Sequence, residues 1–133
     1  MTAAVLIAAL GATCDLTGEG ITVLTLVEHA LSVAGHGAAW NLADFLALER
    51  VATLLTAGVA NALYTLGSAV LMIHTKPLPT PVRAAMCATW VAGIGMTLSA
   101  MFDHVDGMVL TTTILFPLLI AWTAWMAARW RPS

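Results

Sequence analysis

The chain alternates between long apolar stretches and short polar ones. The longest stretch without a charged residue covers residues 51–73. At about 1.5 Å per residue, a helix of this length reaches roughly 34 Å, which is enough to cross a hydrocarbon core of about 30 Å. A helix that carries no charge on any face belongs inside a large protein or in a membrane. In a chain of 133 residues, this stretch predicts a membrane-spanning helix.

Comparable apolar stretches follow one another along the chain and predict an all-α fold. We expect a polytopic integral membrane protein, in which a bundle of four transmembrane helices forms a single domain over residues 1–133. The expected spans are 21–39, 45–74, 82–102 and 108–129. Prolines in the sequence HTKPLPTPVR separate the second span from the third, and the short acidic sequence FDHVDG separates the third from the fourth.

Residues 1–14 form a short apolar N-terminal segment that is not long enough to cross a bilayer by itself. Asp15, Gly18, Glu19 and Gly20 follow it, and glycines together with carboxylates are typical of a turn. We therefore expect a break there, with residues 1–14 lying at the membrane interface or dipping into the bundle. The alternative is a segment continuous with the first span, in which Asp15 and Glu19 face protein.

Composition supports lipid, rather than water, as the solvent. The chain is 60% hydrophobic and only 9% charged, with a mean hydropathy of +0.92. An average soluble domain is about 25% charged. The net charge of −2 and the absence of a basic run exclude nucleic acid as an expected partner. The expected partners are the lipid bilayer and either other membrane subunits or further copies of the chain.

The basic residues predict the orientation in the membrane. Two pairs of them lie on the same side of the expected bundle: Lys76 with Arg83, and Arg129 with Arg131. Because cytoplasmic loops are enriched in Lys and Arg, that side and the C-terminus are expected to be cytoplasmic. Arg50 is the exception, and Asp44 or Glu49 could neutralise it. We expect a bacterial plasma (inner) membrane as the location.

Three polar residues fall inside the expected spans: Glu28, His29 and Asn61. A charged residue in a span is costly, by roughly 2.5–3.5 kcal/mol at the centre of a helix on insertion scales. Glu28 and His29 are therefore candidates for proton or cation transport by a small carrier. The structural alternative is a protonated Glu28, or one paired with Asn61, with a threonine or with a neighbouring subunit.

Histidines and acidic residues offer weak candidates for cofactor and metal binding. His29, His36 and His104 are possible haem ligands, and His36, Asp103, His104 and Asp106 fall together near one membrane face. Methionines near His104 would favour copper. The structural alternative is that the acidic residues are solvated and the methionines fill gaps between helices. Bound pigment, quinone or lipid is equally compatible with the apolar faces, so no cofactor is implied strongly.

No P-loop, HExxH sequence, nucleophile elbow or catalytic carboxylate pair is present, so an enzyme is not expected. Polar groups are few and scattered, and small residues recur every fourth position at Ala84, Ala88 and Ala92. Such faces favour close helix packing. The leading interpretation is a small non-catalytic transmembrane subunit of a larger complex, for example an energy-transducing or electron-transport one. The alternatives are the cation-linked carrier and a haem or copper protein.

Overall fold

The computed structural model describes residues 2–36, 42–73 and 78–129, without the side chains of residues 32–36, 42, 123 and 125–129. The described chain is helical except for short connections, and four helices are long and apolar enough to cross a membrane. These candidate spans are Thr2–Leu31, Ala43–Ile73, Thr80–Met101 and Val105–Trp122. The predicted all-α bundle of four membrane-spanning helices is confirmed, but its N-terminal part differs from the expectation.

The first helix is continuous, so the expected break between Asp15 and Gly20 is wrong. It comprises an α-helical segment Thr2–Gly20, a π-helical segment Ile21–Leu26 and an α-helical segment Val27–His36. Gly20 itself has helical angles, with φ −59° and ψ −44°. Residues 2–14 therefore do not form a separate interfacial segment. They belong to the first span, which starts well before residue 21.

The glycines of the first helix allow close packing and do not form a turn. Ala4, Gly11 and Gly18 recur at intervals of seven and are all buried, which places them on one stripe of the helix. A Cβ atom on Gly11 would lie 3.0 Å from the Tyr64 ring, and one on Gly18 would lie 2.6 Å from the Thr56 methyl group. The stripe lets the first helix pack closely against the antiparallel second helix.

The second helix comprises Leu42–Thr53, a π-helical segment Leu54–Ala60, and Asn61–Ile73. Asn61 connects it to the third helix, since its Nδ2 donates to the Gly93 carbonyl at 2.6 Å and to Thr97 Oγ1 at 3.0 Å. Gly93 leaves room for the Thr65 side chain, because a Cβ atom at position 93 would clash with the Thr65 hydroxyl. The amide of Asn61 is thus satisfied inside an apolar bundle, and it fixes the register of the two helices.

The third helix, Thr80–Met101, and the fourth, Val105–Arg129, are joined by a tight turn. The N–H of His104 donates to the Ser99 carbonyl at 2.8 Å and that of Asp103 to the Ala100 carbonyl at 3.4 Å. This is a Schellman motif, which needs a left-handed residue at its turn. Asp103 takes that position, with φ 57°. The turn predicted from FDHVDG is therefore confirmed, at Phe102–His104.

Arg50 of the second helix closes the same turn. Its guanidinium donates to the carbonyls of Ala100 at 2.6 Å and Met101 at 2.7 Å, and to Asp103 Oδ1 at 2.9 Å. The last carbonyls of a helix have no partner within the helix and attract a cation. The partner of Arg50 is thus Asp103, and not Asp44 or Glu49 as expected from the sequence.

The four helices pack in a row along the chain order. The main contacts join the first helix to the second, the second to the third, and the third to the fourth. Side chains from all four helices nevertheless line one cavity, so the row curves around it. The first and fourth helices form the two edges of a cleft, whose floor is made by the second and third.

Candidate functional site

The cleft has a volume of about 670 Å³, a size typical of sites for small organic ligands. Its position in the middle of the bundle follows from the close contacts described above. The small-residue stripe holds the first helix against the second, and Asn61 holds the second against the third. The second helix contributes most to the floor, and its π-helical segment borders the cleft at Thr56 and Ala57. Short π-helical segments within α-helices are frequent at functional sites.

One end of the cleft is polar. Asp15 and Glu19 lie four residues apart on the first helix and therefore on the same face, and both line the cleft. Asp15 is half-buried and Glu19 is exposed. The Tyr64 hydroxyl, from the second helix, donates to Asp15 Oδ2 at 3.3 Å. Thr56 completes this end. The arrangement offers carboxylate oxygens as hydrogen-bond acceptors and as negative charge.

The other end of the cleft is aromatic and apolar. Trp90, Phe116 and Trp122 line it from the third and fourth helices. The indole N–H of Trp90 donates to Ser68 Oγ at 2.8 Å, and Ser68 in turn donates to the Thr65 carbonyl at 2.8 Å. These bonds hold the Trp90 ring in place. Since Thr56 and Ser68 are both lining residues of one helix, the cleft extends roughly 18 Å along it.

The polar residues singled out from the sequence do not come together in this cleft, apart from Asn61, which lines its floor. Glu28 is exposed and His29 is half-buried, with its Nδ1 2.7 Å from the Thr25 carbonyl. Both follow Leu26, the last buried side chain described in the first helix. Asn61 bonds to the third helix, so the expected pairing of Glu28 with Asn61 is not present.

The predicted haem and metal candidates have other partners where they are described. His104 directly precedes the fourth helix, and its Nδ1 accepts the Gly107 N–H at 2.9 Å. Asp103 is paired with Arg50, and Asp106 is exposed. Within residues 2–36, 42–73 and 78–129, no three His, Cys, Asp or Glu side chains are grouped to hold a metal ion. The side chain of His36 lies outside the described residues.

Sequence reasoning missed Asp15, Glu19 and Tyr64 as members of one site. Asp15 and Glu19 were interpreted as part of a break, which separated them from the spans. The signal that could have found them is the interval of seven between Ala4, Gly11 and Gly18, because this repeat passes Asp15 without interruption and ends next to Glu19. Tyr64 carries no comparable signal, since its proximity to Asp15 depends on the packing of two helices.

The fold and the apolar spans define the class of this protein: an all-α integral membrane protein with four helices that can cross the bilayer. In comparisons with family models, with curated protein sequences and with solved structures, no match to this chain was found.

Proposed function

We propose that the protein is a small non-catalytic subunit of a larger membrane complex. The observation that supports this is a small-residue face on the third helix that the bundle leaves uncovered. Ala84, Cys87, Ala88 and Val91 follow one another at helical spacing, and all four are exposed. Small residues permit close approach of another helix, whereas they offer lipid little contact area. A neighbouring transmembrane subunit would use such a face.

The fourth helix, which forms one edge of the cleft, adds further support. Leu115 is its one buried side chain among those described, while Ile114 and Ile120, which lie outside the cleft lining, are 45% and 66% exposed. Lipid can cover such a helix, and so can a partner subunit. We further propose an energy-transducing or electron-transport complex as the setting, because the described part of the chain provides spans and packing surfaces.

Replacement of Ala88 by tryptophan is expected to release the protein from its complex, because the ring would occupy the face that a partner approaches. The fold should persist, since Ala88 is exposed. The measurement is the apparent mass and subunit content of the tagged full-length protein after mild solubilisation of its native membranes. Ala9→Trp is the control, since Ala9 is equally exposed but lies on the first helix. If wild type, Ala88→Trp and Ala9→Trp all migrate as single chains, the subunit proposal is wrong.

We infer an orientation with the C-terminus in the cytoplasm of a bacterial inner membrane. Support comes from the exception to the positive-inside pattern, since Arg50 is neutralised by Asp103 at 2.9 Å. The remaining basic residues then belong to one side: Lys76, Arg83, Arg129 and Arg131. A C-terminal fluorescent protein should be bright and a C-terminal alkaline phosphatase inactive. Active phosphatase at this terminus would reverse the orientation.

A further inference from the structure

We propose that the cleft between the four helices binds a lipophilic organic cation. Its positive charge would lie beside Asp15 and Glu19, and its apolar body would extend toward Trp90 and Trp122. This site goes beyond the subunit role proposed above and does not depend on it, since the small-residue face and the cleft are different surfaces of the third helix.

The charge of the residues that line the cleft favours a cation as the ligand. Two carboxylates line the cleft, while no Lys, Arg or His is found among the described lining residues. Arg50 lies on the second helix toward the carboxylate end of the cleft. Its guanidinium already bonds to Asp103 and to two backbone carbonyls. Asp15 is half-buried beside an apolar cavity, so a bound cation gains more from its carboxylate than it would in water.

The same chemistry disfavours other ligand classes. A divalent metal ion needs several ligands, and no group of three His, Cys, Asp or Glu occurs in the described part of the chain. An anionic phospholipid would bring its phosphate toward two carboxylates and be repelled. The carbonyl oxygens of a quinone are hydrogen-bond acceptors, and carboxylate oxygens offer them no donor. A cationic group with hydrophobic substituents satisfies both ends of the cleft.

Shape and surface are the second argument. The volume of about 670 Å³ and the length of roughly 18 Å suit a drug-sized, elongated molecule. Phe116 and two tryptophans provide flat apolar contact, and Tyr64 stands next to the carboxylate end. Aromatic faces attract organic cations as well as hydrocarbon. Because the first and fourth helices form the edges of the cleft, a molecule dissolved in the bilayer can reach it from the side.

The proposed site also changes which residues would bind the cation in the carrier considered from the sequence. Cation-linked transport requires a cation site within the spans, and under this proposal that site comprises Asp15 and Glu19 in place of Glu28 and His29.

The test is equilibrium dialysis of radiolabelled tetraphenylphosphonium against the purified full-length protein in a non-ionic detergent, with protein-free micelles as the blank. We expect saturable binding of one cation per chain. Tetraphenylborate has the same shape and the opposite charge, so it should not compete. This comparison needs no variant and is therefore independent of folding defects.

Variants locate the site. The double change Asp15→Asn and Glu19→Gln should weaken binding by about ten-fold or more, because both charged partners of the cation are lost. The matched control is Asp44→Asn with Glu49→Gln, since these exposed carboxylates of the second helix lie outside the cleft lining. Circular dichroism and gel filtration check that both proteins remain folded.

Several results would overturn the proposal. Equal binding of tetraphenylborate, or an unchanged affinity of the cleft double variant, would mean hydrophobic partition without a site. A co-purifying phospholipid that tetraphenylphosphonium fails to displace would identify lipid as the occupant. A stable dimer that binds no tetraphenylphosphonium would mean that a second copy covers the cleft.

Discussion

Replacing Gly18 by leucine is expected to lower the free energy of unfolding by about 3 kcal/mol, at the upper end of the usual range for overpacking. A Cβ atom at this position would lie 2.6 Å from the Thr56 methyl group and 3.0 Å from the Ala52 carbonyl oxygen. The methyl group can move with its side chain, but the carbonyl oxygen belongs to the backbone. The first and second helices would have to separate along the whole small-residue stripe.

Gly20→Leu is the matched control, because no atom lies within 4 Å of a Cβ atom built at Gly20. Leucine is a better helix former than glycine by nearly 1 kcal/mol, so this variant should be as stable as wild type or more so. Unfolding of the detergent-solubilised proteins, followed by circular dichroism, compares the two. If the chain turned at these glycines, both variants would be destabilised alike, and the continuous first helix would be wrong.

Replacing Arg50 by alanine is expected to lower the free energy of unfolding by about 2 kcal/mol, within the range for hydrogen bonds to a charged group. Three bonds are lost at once, and two of them go to the carbonyls that end the third helix. Ala100 is fully buried and the Arg50 side chain is only 30% exposed, so water replaces these bonds incompletely.

Asp103→Asn removes the ion pair with Arg50 but leaves the bonds from Arg50 to the two backbone carbonyls, so it measures the contribution of the ion pair. Asp103 is 70% exposed, and exposed ion pairs contribute roughly 0–1 kcal/mol. Asparagine also accepts the left-handed backbone at this position. The loss of stability should therefore be well below that of Arg50→Ala, measured by the same unfolding experiment. Equal losses in the two variants would mean that the ion pair, and not the helix end, is the source of the stability.

The cleft and the stripe connect stability with the proposed ligand site. The carboxylates of the first helix border the cleft because the stripe holds this helix against the second between Ala4 and Gly18. Gly18 lies between Asp15 and Glu19, so a change that separates the helices there also displaces both carboxylates. We expect the stability of this contact and the affinity of the cleft to be linked for that reason.

The helical class and the number of spans could be predicted from the sequence, because an apolar stretch of sufficient length has few alternatives in lipid. The turn at Phe102–His104 could also be predicted, since short polar sequences between spans have little choice but to turn. The course of the first helix could not. Glycines and carboxylates indicate a turn in water, whereas here Gly18 serves close packing and Asp15 accepts a bond from Tyr64.

The sequence by itself determined that this chain is a four-helix membrane protein, because hydrophobic length is a local property. Only the tertiary structure decided which polar side chains share a site. Tyr64 and Asp15 are 49 positions apart, and Arg50 and Asp103 are 53 apart. Their pairing depends on how neighbouring helices are aligned, and the small residues of the first helix and Asn61 of the second fix this alignment through contacts between helices.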